Sequence, residues 1–170
     1  LVGCVAADDG VARALADRFQ VESAFDDVEG LLENSELDAV VICTPNHLHE
    51  GHVLAALRAG LHVLVEKPLA LSTASAQRVV RAAAKKDRVV MVGMNHRYRS
   101  DVQIVRSFVQ TGELGDVESV RGSWHVFRPS RAMLGWRLKR DLSGGGAMLE
   151  GMAEIAEQIS LCSPSLRLLA

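Results

Sequence analysis

The hydrophobic residues in the first part of the chain follow two alternating patterns. Short continuous apolar runs, typical of buried parallel strands, alternate with stretches in which apolar residues recur every three or four positions, as on one helix face. Strands that alternate with helices of this length imply crossover connections and a parallel sheet, so the first part is predicted to be α/β. Strands are predicted over 1–6, 39–44, 62–66 and 89–93, and helices over 11–19, 26–32, 52–59 and 73–86.

Individual elements carry more specific signals. The uninterrupted run 39–44 predicts a strand that is covered on both faces. The first predicted helix places Val11, Leu15 and Phe19 on one face. Gly60 is suited to end the third helix, because glycine adopts the left-handed conformation that helix ends commonly need.

The pattern changes after residue 95. An alternating run over 115–127 predicts a half-buried strand of the antiparallel type, with one face open. Too few strands follow to close a sheet, so this part is predicted as an incomplete α+β domain. The domain boundary is placed between 1–97 and 98–170. Helices are predicted over 100–111 and 143–161, and a last strand over 166–170.

Composition narrows the classes of function. The 170 residues include 19 basic and 21 acidic ones, a formal net charge of −2. This balance argues against nucleic acid or anionic lipid as a partner. No apolar stretch approaches the roughly 20 residues that a membrane span needs. The three cysteines form no CxxC pair, which predicts a reducing, cytoplasmic compartment.

Polar residues follow the second predicted apolar strand. Ligands of an open parallel sheet lie off the carboxyl ends of its strands. Thr44 and Asn46 offer side-chain hydrogen bonds there, Pro45 forces an extended exit, and the helix start beyond them can receive an anion. The same residue types also suit an ordinary strand-to-helix turn, and taken alone they favour that interpretation.

A second polar group follows the next strand. Lys67, between Glu66 and Pro68, stands where strand ends converge, and a lysine there can donate to a substrate hydroxyl or carbonyl. The alternative is a surface ion pair that involves Glu66 and contributes little stability. The position directly after a buried strand favours the functional interpretation.

A glycine triplet, 144–146, precedes the last predicted helix and allows a ligand to approach the backbone closely. Glu150 and Glu154 are four residues apart and share one face of that helix. Two nearby carboxylates can raise one pKa and supply a base. The spacing alone favours a solvated helix face, since the apolar residues lie roughly opposite.

Three histidines stand close together in the sequence, at His47, His49 and His52. They lack an accompanying Cys or Asp cluster, and their spacing is not a tight metal signature. A turn or capping role is favoured, and no metal site is assigned.

Taken together and in this order, the motifs resemble the family of glucose–fructose oxidoreductase, inositol dehydrogenase and MocA. The resemblance runs from residue 1 to about 162. It implies a Rossmann domain that binds NAD or NADP, then an α+β domain with an open antiparallel sheet. It also implies an oxidoreductase that acts on a secondary alcohol or ketone of a sugar, cyclitol or related polyol. The matching segments are 41–49, 63–69, 92–97, 111–116 and 135–137 followed by 144–150.

The resemblance also implies roles for individual residues. Lys67 would hydrogen-bond the reacting oxygen, and Trp136 and Arg137 would lie near the substrate. Glu150 and Glu154 stand where the family usually carries an Asp and a proton-accepting His, so they are the candidate bases. The residues expected to border the cofactor are Thr44, Pro45, Asn46, His49, Glu66, Lys67 and Asn95.

The sequence departs from the family pattern near its start. The first strand and the glycine-rich pyrophosphate loop of the family are expected before Leu1, and the second domain has too few strands to close its sheet. The chain is therefore predicted to be truncated at both ends. Ala6 stands where an acid usually binds the ribose, which leaves NAD and NADP both open. These departures support an alternative: a non-catalytic or inactive member that binds a sugar-like ligand or a partner. The parent protein is expected to be a homo-oligomer.

Overall fold

Strands and helices alternate along the first part of the chain. The computed structural model describes residues 3–6, 9–34, 36–121 and 135–145. The elements of this first part, in chain order, are β1 (Gly3–Val5), α1 (Asp9–Phe19), β2 (Ser23–Phe25), α2 (Val28–Asn34), β3 (Ala39–Ile42), α3 (His49–Arg58), β4 (His62–Val65), α4 (Thr73–Lys86) and β5 (Val90–Val92).

The strands pair in parallel, as the alternating pattern predicts. β1 pairs with β2, with Val5 opposite Phe25. β3, β4 and β5 form a second sheet in that order, with Ile42 opposite Val65 in the β3–β4 pair. The backbone nitrogen of Val63 donates to the carbonyl oxygen of Val89 at 2.9 Å, on the β5 side of the sheet. The α/β fold class is therefore confirmed.

The sequence pattern missed β2. This strand contains a single large apolar residue, Phe25, and is three residues long, so it shows neither an apolar run nor a clear alternation. Its extended conformation depends on pairing with β1, over the register from Gly3–Ser23 to Val5–Phe25. The residues of β2 and their sequence neighbours do not indicate that β1 will pair with them.

The prediction that run 39–44 is covered on both faces was wrong. In β3, Ile42 is buried whereas Val41 is 67% exposed. β4 alternates in the same way, with Val63 and Val65 buried and Leu64 partly exposed. The reason is that α3 packs on β3 and β4, and α4 packs on α3, which covers the inward-facing side chains. Apolar continuity therefore did not report double coverage here.

Helix α1 also contacts its strands through a different face from the one its large apolar residues suggest. Ala12 and Ala16 are buried, and the helix packs against β1 and β2. Small side chains let a helix approach strands closely. The large apolar residues of the predicted face, Val11, Leu15 and Phe19, are exposed.

The glycine after α3 and the bounds of α4 agree with the sequence prediction. Gly60 follows α3 with a φ of +82°, the left-handed conformation expected of a glycine after a helix. α4 has the predicted bounds, Thr73–Lys86. It is preceded by Ser72, whose hydroxyl accepts a hydrogen bond from the backbone nitrogen of Ser75 at 3.2 Å, an N-cap.

The chain divides into two compact units. The first takes in the strands and helices up to Met91, except for two short segments. The second takes in those segments, Pro45–His47 and Glu66–Leu71, together with the chain from Val92 onward. The predicted domain boundary between residues 97 and 98 stays a prediction.

The described regular elements of the second unit are mainly helical. The predicted helix 100–111 is confirmed, with slightly different bounds, as α5. Residues 115–121, the first part of a predicted strand, are irregular, since no described strand pairs with them. The rest of that strand, the predicted strand 166–170 and the antiparallel sheet lie outside the described residues. The helical elements are the 3₁₀ helices Asn46–Leu48, Asn95–Tyr98 and Gly135–Leu138, and the α-helices α5 (Ser100–Gln110) and α6 (Arg140–Ser143).

The predicted helix 143–161 does not begin at Ser143. Ser143 is instead the last residue of α6, and Gly144 follows as its left-handed cap, with a φ of 87°. Gly145 has a φ of 123°, so the backbone turns away from the helical direction here. Residues 146–161 lie outside the described part of the chain. No described helix is long and apolar enough to cross a membrane.

Candidate active site

The turn after β3 is held from the start of α3. The ring Nε2 of His49 lies 2.8 Å from the carbonyl oxygen of Thr44, and the ring Nδ1 of His52 lies 3.1 Å from the Thr44 hydroxyl. His49 and His52 are three residues apart and therefore share a helix face. Thr44 is thus held through both its backbone and its side chain.

His49 is fully buried. A carbonyl oxygen can only accept a hydrogen bond, so Nε2 of His49 carries the proton and donates it. The role at a cofactor predicted for His49 stays a prediction. The contact of His52 with the Thr44 hydroxyl agrees with the turn role that the sequence favours for it.

An ion pair joins α3 to α4 within the first unit. The guanidinium of Arg78 donates to both carboxylate oxygens of Glu50, at 2.5 Å and 3.1 Å. The hydrogen bond from Arg78 is the largest cause of the lowered pKa of Glu50. Both groups are partly exposed, so the pair adds modestly to stability.

Segments that follow all three strands of the larger sheet belong to the second unit. Pro45–His47 comes after β3 and Glu66–Leu71 after β4. The chain from Val92, the last residue of β5, onward also belongs to this unit. In an open parallel sheet, ligands bind off these carboxyl ends. The second unit therefore holds most of the residues that the sequence nominates for a cofactor site.

Among the nominated cofactor-site residues that belong to the second unit, Asn46 is the buried one. It is 6% exposed, and its Nδ2 donates to the carbonyl oxygen of Ser143 at 2.9 Å. Ser143 is also buried. The contact connects the turn after β3 with the end of α6, which sequence spacing could not reveal.

Lys67 is half-buried and Glu66 is exposed at the end of β4. The backbone nitrogen of Lys67 donates to the carboxylate of Glu66 at 3.2 Å. Glu66 thus holds the local backbone, while its carboxylate stays in contact with solvent. The roles predicted for Glu66 and Lys67 remain predictions.

Asn95 begins the 3₁₀ helix Asn95–Tyr98 and is exposed. The next helix is attached to this turn, because the side chain of Gln103 donates to the carbonyl of Arg97. Asn95 therefore stands on an anchored turn that follows β5, and its predicted cofactor role stays a prediction.

Trp136 and Arg137 contact each other. The Arg137 guanidinium carbon lies 4.6 Å from the centroid of the Trp136 ring, within the range of a cation–π interaction. Trp136 is half-buried and Arg137 is exposed. Their predicted role near a substrate stays a prediction. The predicted bases Glu150 and Glu154 lie outside the described residues.

Within the described ranges, no group of three or more His, Cys, Asp or Glu side chains could hold a metal ion. His49 and His52 instead hydrogen-bond to Thr44. These two histidines therefore act in the turn, as the sequence favours.

Comparison with known families gives two matches in succession. Residues 1–94 match the family GFO_IDH_MocA, described as an oxidoreductase family with an NAD-binding Rossmann fold. Residues 102–153 match the GFO/IDH/MocA C-terminal domain. Together the two matches extend over both described units.

Individual proteins agree with these matches. The chain is 31% identical over 84% of its length to levoglucosan dehydrogenase of Pseudarthrobacter phenanthrenivorans, covering 37% of that protein. It is 34% identical over 82% of its length to D-glucoside 3-dehydrogenase of Escherichia coli, covering 39% of it. The crystal structure of GenD2 from gentamicin A biosynthesis, in complex with NAD, superposes with a TM-score of 0.83 and 28% identity, over 95% of this chain and 46% of that one. The chain thus spans less than half the length of these relatives.

Proposed function

Because the chain belongs to the oxidoreductase family of glucose–fructose oxidoreductase, inositol dehydrogenase and MocA, we propose that it forms the nicotinamide-facing part of an NAD(P)-dependent oxidoreductase. The substrate is a secondary alcohol or ketone of a sugar, cyclitol or related polyol. Levoglucosan dehydrogenase and D-glucoside 3-dehydrogenase, by their names, act on sugar-type compounds, which supports this substrate class.

One observation carries the proposal: the segments after β3, β4 and β5 belong to a single unit together with Trp136. Polar groups are concentrated in these segments. Lys67 supplies a half-buried ammonium group, Asn95 an exposed amide and Arg137 an exposed guanidinium. Such a donor set fits the nicotinamide, its ribose and a polyol hydroxyl.

The described residues fit one end of a dinucleotide better than the other. Backbone nitrogens that cradle a pyrophosphate come from a glycine-rich turn between a strand and a helix. Gly144 and Gly145 follow α6 rather than a parallel strand, so they do not form such a turn. We assign to this chain the nicotinamide end, bordered by Thr44, Pro45 and Asn46. The further bordering residues are Glu66, Lys67, Asn95 and, through Thr44, His49.

Each residue then has a distinct task. A bound nicotinamide supplies or accepts the hydride. Lys67 donates a hydrogen bond to the reacting oxygen and stabilises the negative charge that develops on it. Glu150 or Glu154 takes the proton of the alcohol, and Trp136 and Arg137 hold the polyol. Glu66 keeps the Lys67 backbone in place through its 3.2 Å contact.

The first test is a fluorescence titration of the 170-residue chain with NADH and, separately, NADPH. Saturable binding of either would support the nicotinamide site and decide the preferred cofactor. No binding by a chain that circular dichroism shows to be folded would overturn the proposal for this chain.

Lys67 provides the second test. In a chain that oxidises any of a panel of polyols, Lys67→Ala lowers turnover by about 10²-fold or more, because general acid–base groups contribute on that scale. Lys85→Ala, on the last turn of α4, is the matched control and leaves turnover unchanged. Binding of NADH without turnover on any polyol would favour the non-catalytic alternative. Assembly into a homo-oligomer and a cytoplasmic location remain part of the proposal.

A further inference from the structure

Asn46 differs from the other polar residues after the strands, because its side chain is almost entirely removed from solvent. It is 6% exposed, at the first position of the 3₁₀ helix Asn46–Leu48. A buried amide needs hydrogen-bond partners, and an unpaired one costs about 1–3 kcal/mol. Its Nδ2 has such a partner in the carbonyl oxygen of Ser143, at 2.9 Å.

The acceptor lies at a special point of the backbone. Ser143 ends α6, and the last carbonyls of a helix have no partner within the helix. Ser143 is 1% exposed, so water has little access to satisfy this carbonyl. The amide of Asn46 therefore caps α6 from a position 97 residues earlier in the chain.

The backbone leaves the helical conformation immediately after this contact. The nitrogen of Gly144 donates to the carbonyl of Arg140 at 2.8 Å, and the nitrogen of Gly145 lies 3.4 Å from the Ser143 hydroxyl. Both glycines have positive φ angles. The direction in which the chain leaves α6 thus depends on a short segment that Asn46 holds at its start.

We propose that Asn46 is a positioning residue, which acts through the Ser143 carbonyl to set the Gly144–Gly145 segment relative to the turn after β3. This inference rests on the proposed function, since the turn belongs to the proposed cofactor side. In the sequence, this segment precedes Glu150 and Glu154, the proposed proton acceptors. One side-chain amide then connects the turn proposed to border the nicotinamide with the segment that precedes the proposed proton acceptors in the sequence.

The test uses the 170-residue chain with Asn46→Asp, which keeps the shape but replaces the donating NH₂ by a carboxylate oxygen. His47→Ala is the matched control, since His47 is an exposed residue of the same turn. Gly112→Ala is a second control, because a φ of +77° makes alanine strained there without touching Ser143. Amide resonances of Gly144 and Gly145 and the Kd for NADH are measured in all four proteins, the wild type included.

We expect Asn46→Asp to shift the Gly144 and Gly145 resonances and to weaken NADH binding by about three- to tenfold, the scale of one hydrogen bond. Both controls keep the wild-type Kd. Unmoved glycine resonances overturn the proposal, and so does an unchanged Kd in Asn46→Asp, which would leave a purely structural cap. A wild type that binds no NADH overturns the proposed function and, with it, the positioning role.

The wild-type protein alone gives an independent check in case Asn46→Asp does not fold. The Nδ2 protons of Asn46 should exchange with solvent at least about tenfold more slowly than those of Gln77, an exposed residue on α4, because the hydrogen bond is buried. Equal exchange rates would show that the contact with Ser143 does not persist in solution, which also overturns the proposal.

Discussion

The ring of His49 donates from Nε2 to the carbonyl oxygen of Thr44, at 2.8 Å, from a position with no solvent exposure. The first residue of α3 thereby holds the last residue before Pro45. A buried histidine in this arrangement fixes its own tautomer, because the carbonyl can only accept. The pair connects the start of α3 to the turn after β3, which is proposed to border the cofactor.

His49→Phe should destabilise the fold. Phenylalanine keeps an aromatic ring but removes the donor, so the Thr44 carbonyl loses its partner at a cost of about 1–3 kcal/mol in the free energy of unfolding. Urea unfolding measures the change. His47→Phe is the control and should change stability by less than about 0.5 kcal/mol, because this neighbour is exposed. Equal stability of the wild type and His49→Phe would show that the hydrogen bond is not formed.

Gly60 and Gly51 should respond to alanine with opposite signs. Gly60 has a φ of +82° and nothing within 4 Å of an added Cβ, so alanine adds only backbone strain there, about 1 kcal/mol. Gly51 lies inside α3 with the same open surroundings, and alanine should stabilise the helix by up to about 1 kcal/mol. Thermal unfolding of both variants checks the pair. The same sign in both would contradict the assigned end of α3.

Ser72→Ala should weaken α4. The serine hydroxyl accepts from the backbone nitrogen of Ser75 at 3.2 Å, and loss of such a cap costs about 1 kcal/mol. Ser72→Asp is the control that keeps an acceptor, and it should retain most of the stability. Unfolding measured by circular dichroism separates the two variants. If alanine and aspartate behaved alike, the cap would not be the source of the effect.

The pKa of Asp101 should depend on Arg99. The guanidinium of Arg99 donates to both carboxylate oxygens, at 3.0 Å and 2.7 Å, and this lowers the pKa of Asp101 to about 2. Because the pKa is depressed in the folded state, the stabilisation is present above about pH 4, the usual pKa of an aspartate. It is lost as the pH falls through about 2. Arg99→Gln should return the pKa toward its ordinary value, in a carboxyl NMR titration.

Both groups of this pair are exposed, so the effect on stability in acid is small even though the pKa shift is large. High salt should reduce the shift, because exposed charges are screened. A pKa of Asp101 that stays near 4 in the wild type would show that Arg99 does not hold the bidentate contact in solution.

The α/β fold class could be predicted from the sequence because the patterns that indicate it are local. Apolar runs and helical periodicity depend on neighbours in the chain, which is why the bounds of α4 were predicted correctly. Gly60 was identified for the same reason, since left-handed backbone favours glycine wherever it occurs. The order of several short motifs carried the family assignment, which the match to residues 1–94 supports.

Other features depended on partners that are distant in the chain. β2 became a strand because β1 pairs with it, and Val41 is exposed because α3 covers the opposite face of β3. The burial of Ala12, in place of the larger residues of α1, reflects how closely that helix approaches its strands.

The sequence by itself determined the α/β class, most of the alternation of strands and helices, the bounds of α4, the glycine that follows α3 and the residues able to do chemistry. Only the tertiary structure decided how those residues are used. It paired His49 and His52 with Thr44, and it placed the amide of Asn46 on the carbonyl of Ser143. The physical reason is that periodicity and capping act between residues that are close in the sequence. A buried hydrogen bond depends instead on which distant segments the fold brings to about 3 Å, a typical donor–acceptor distance.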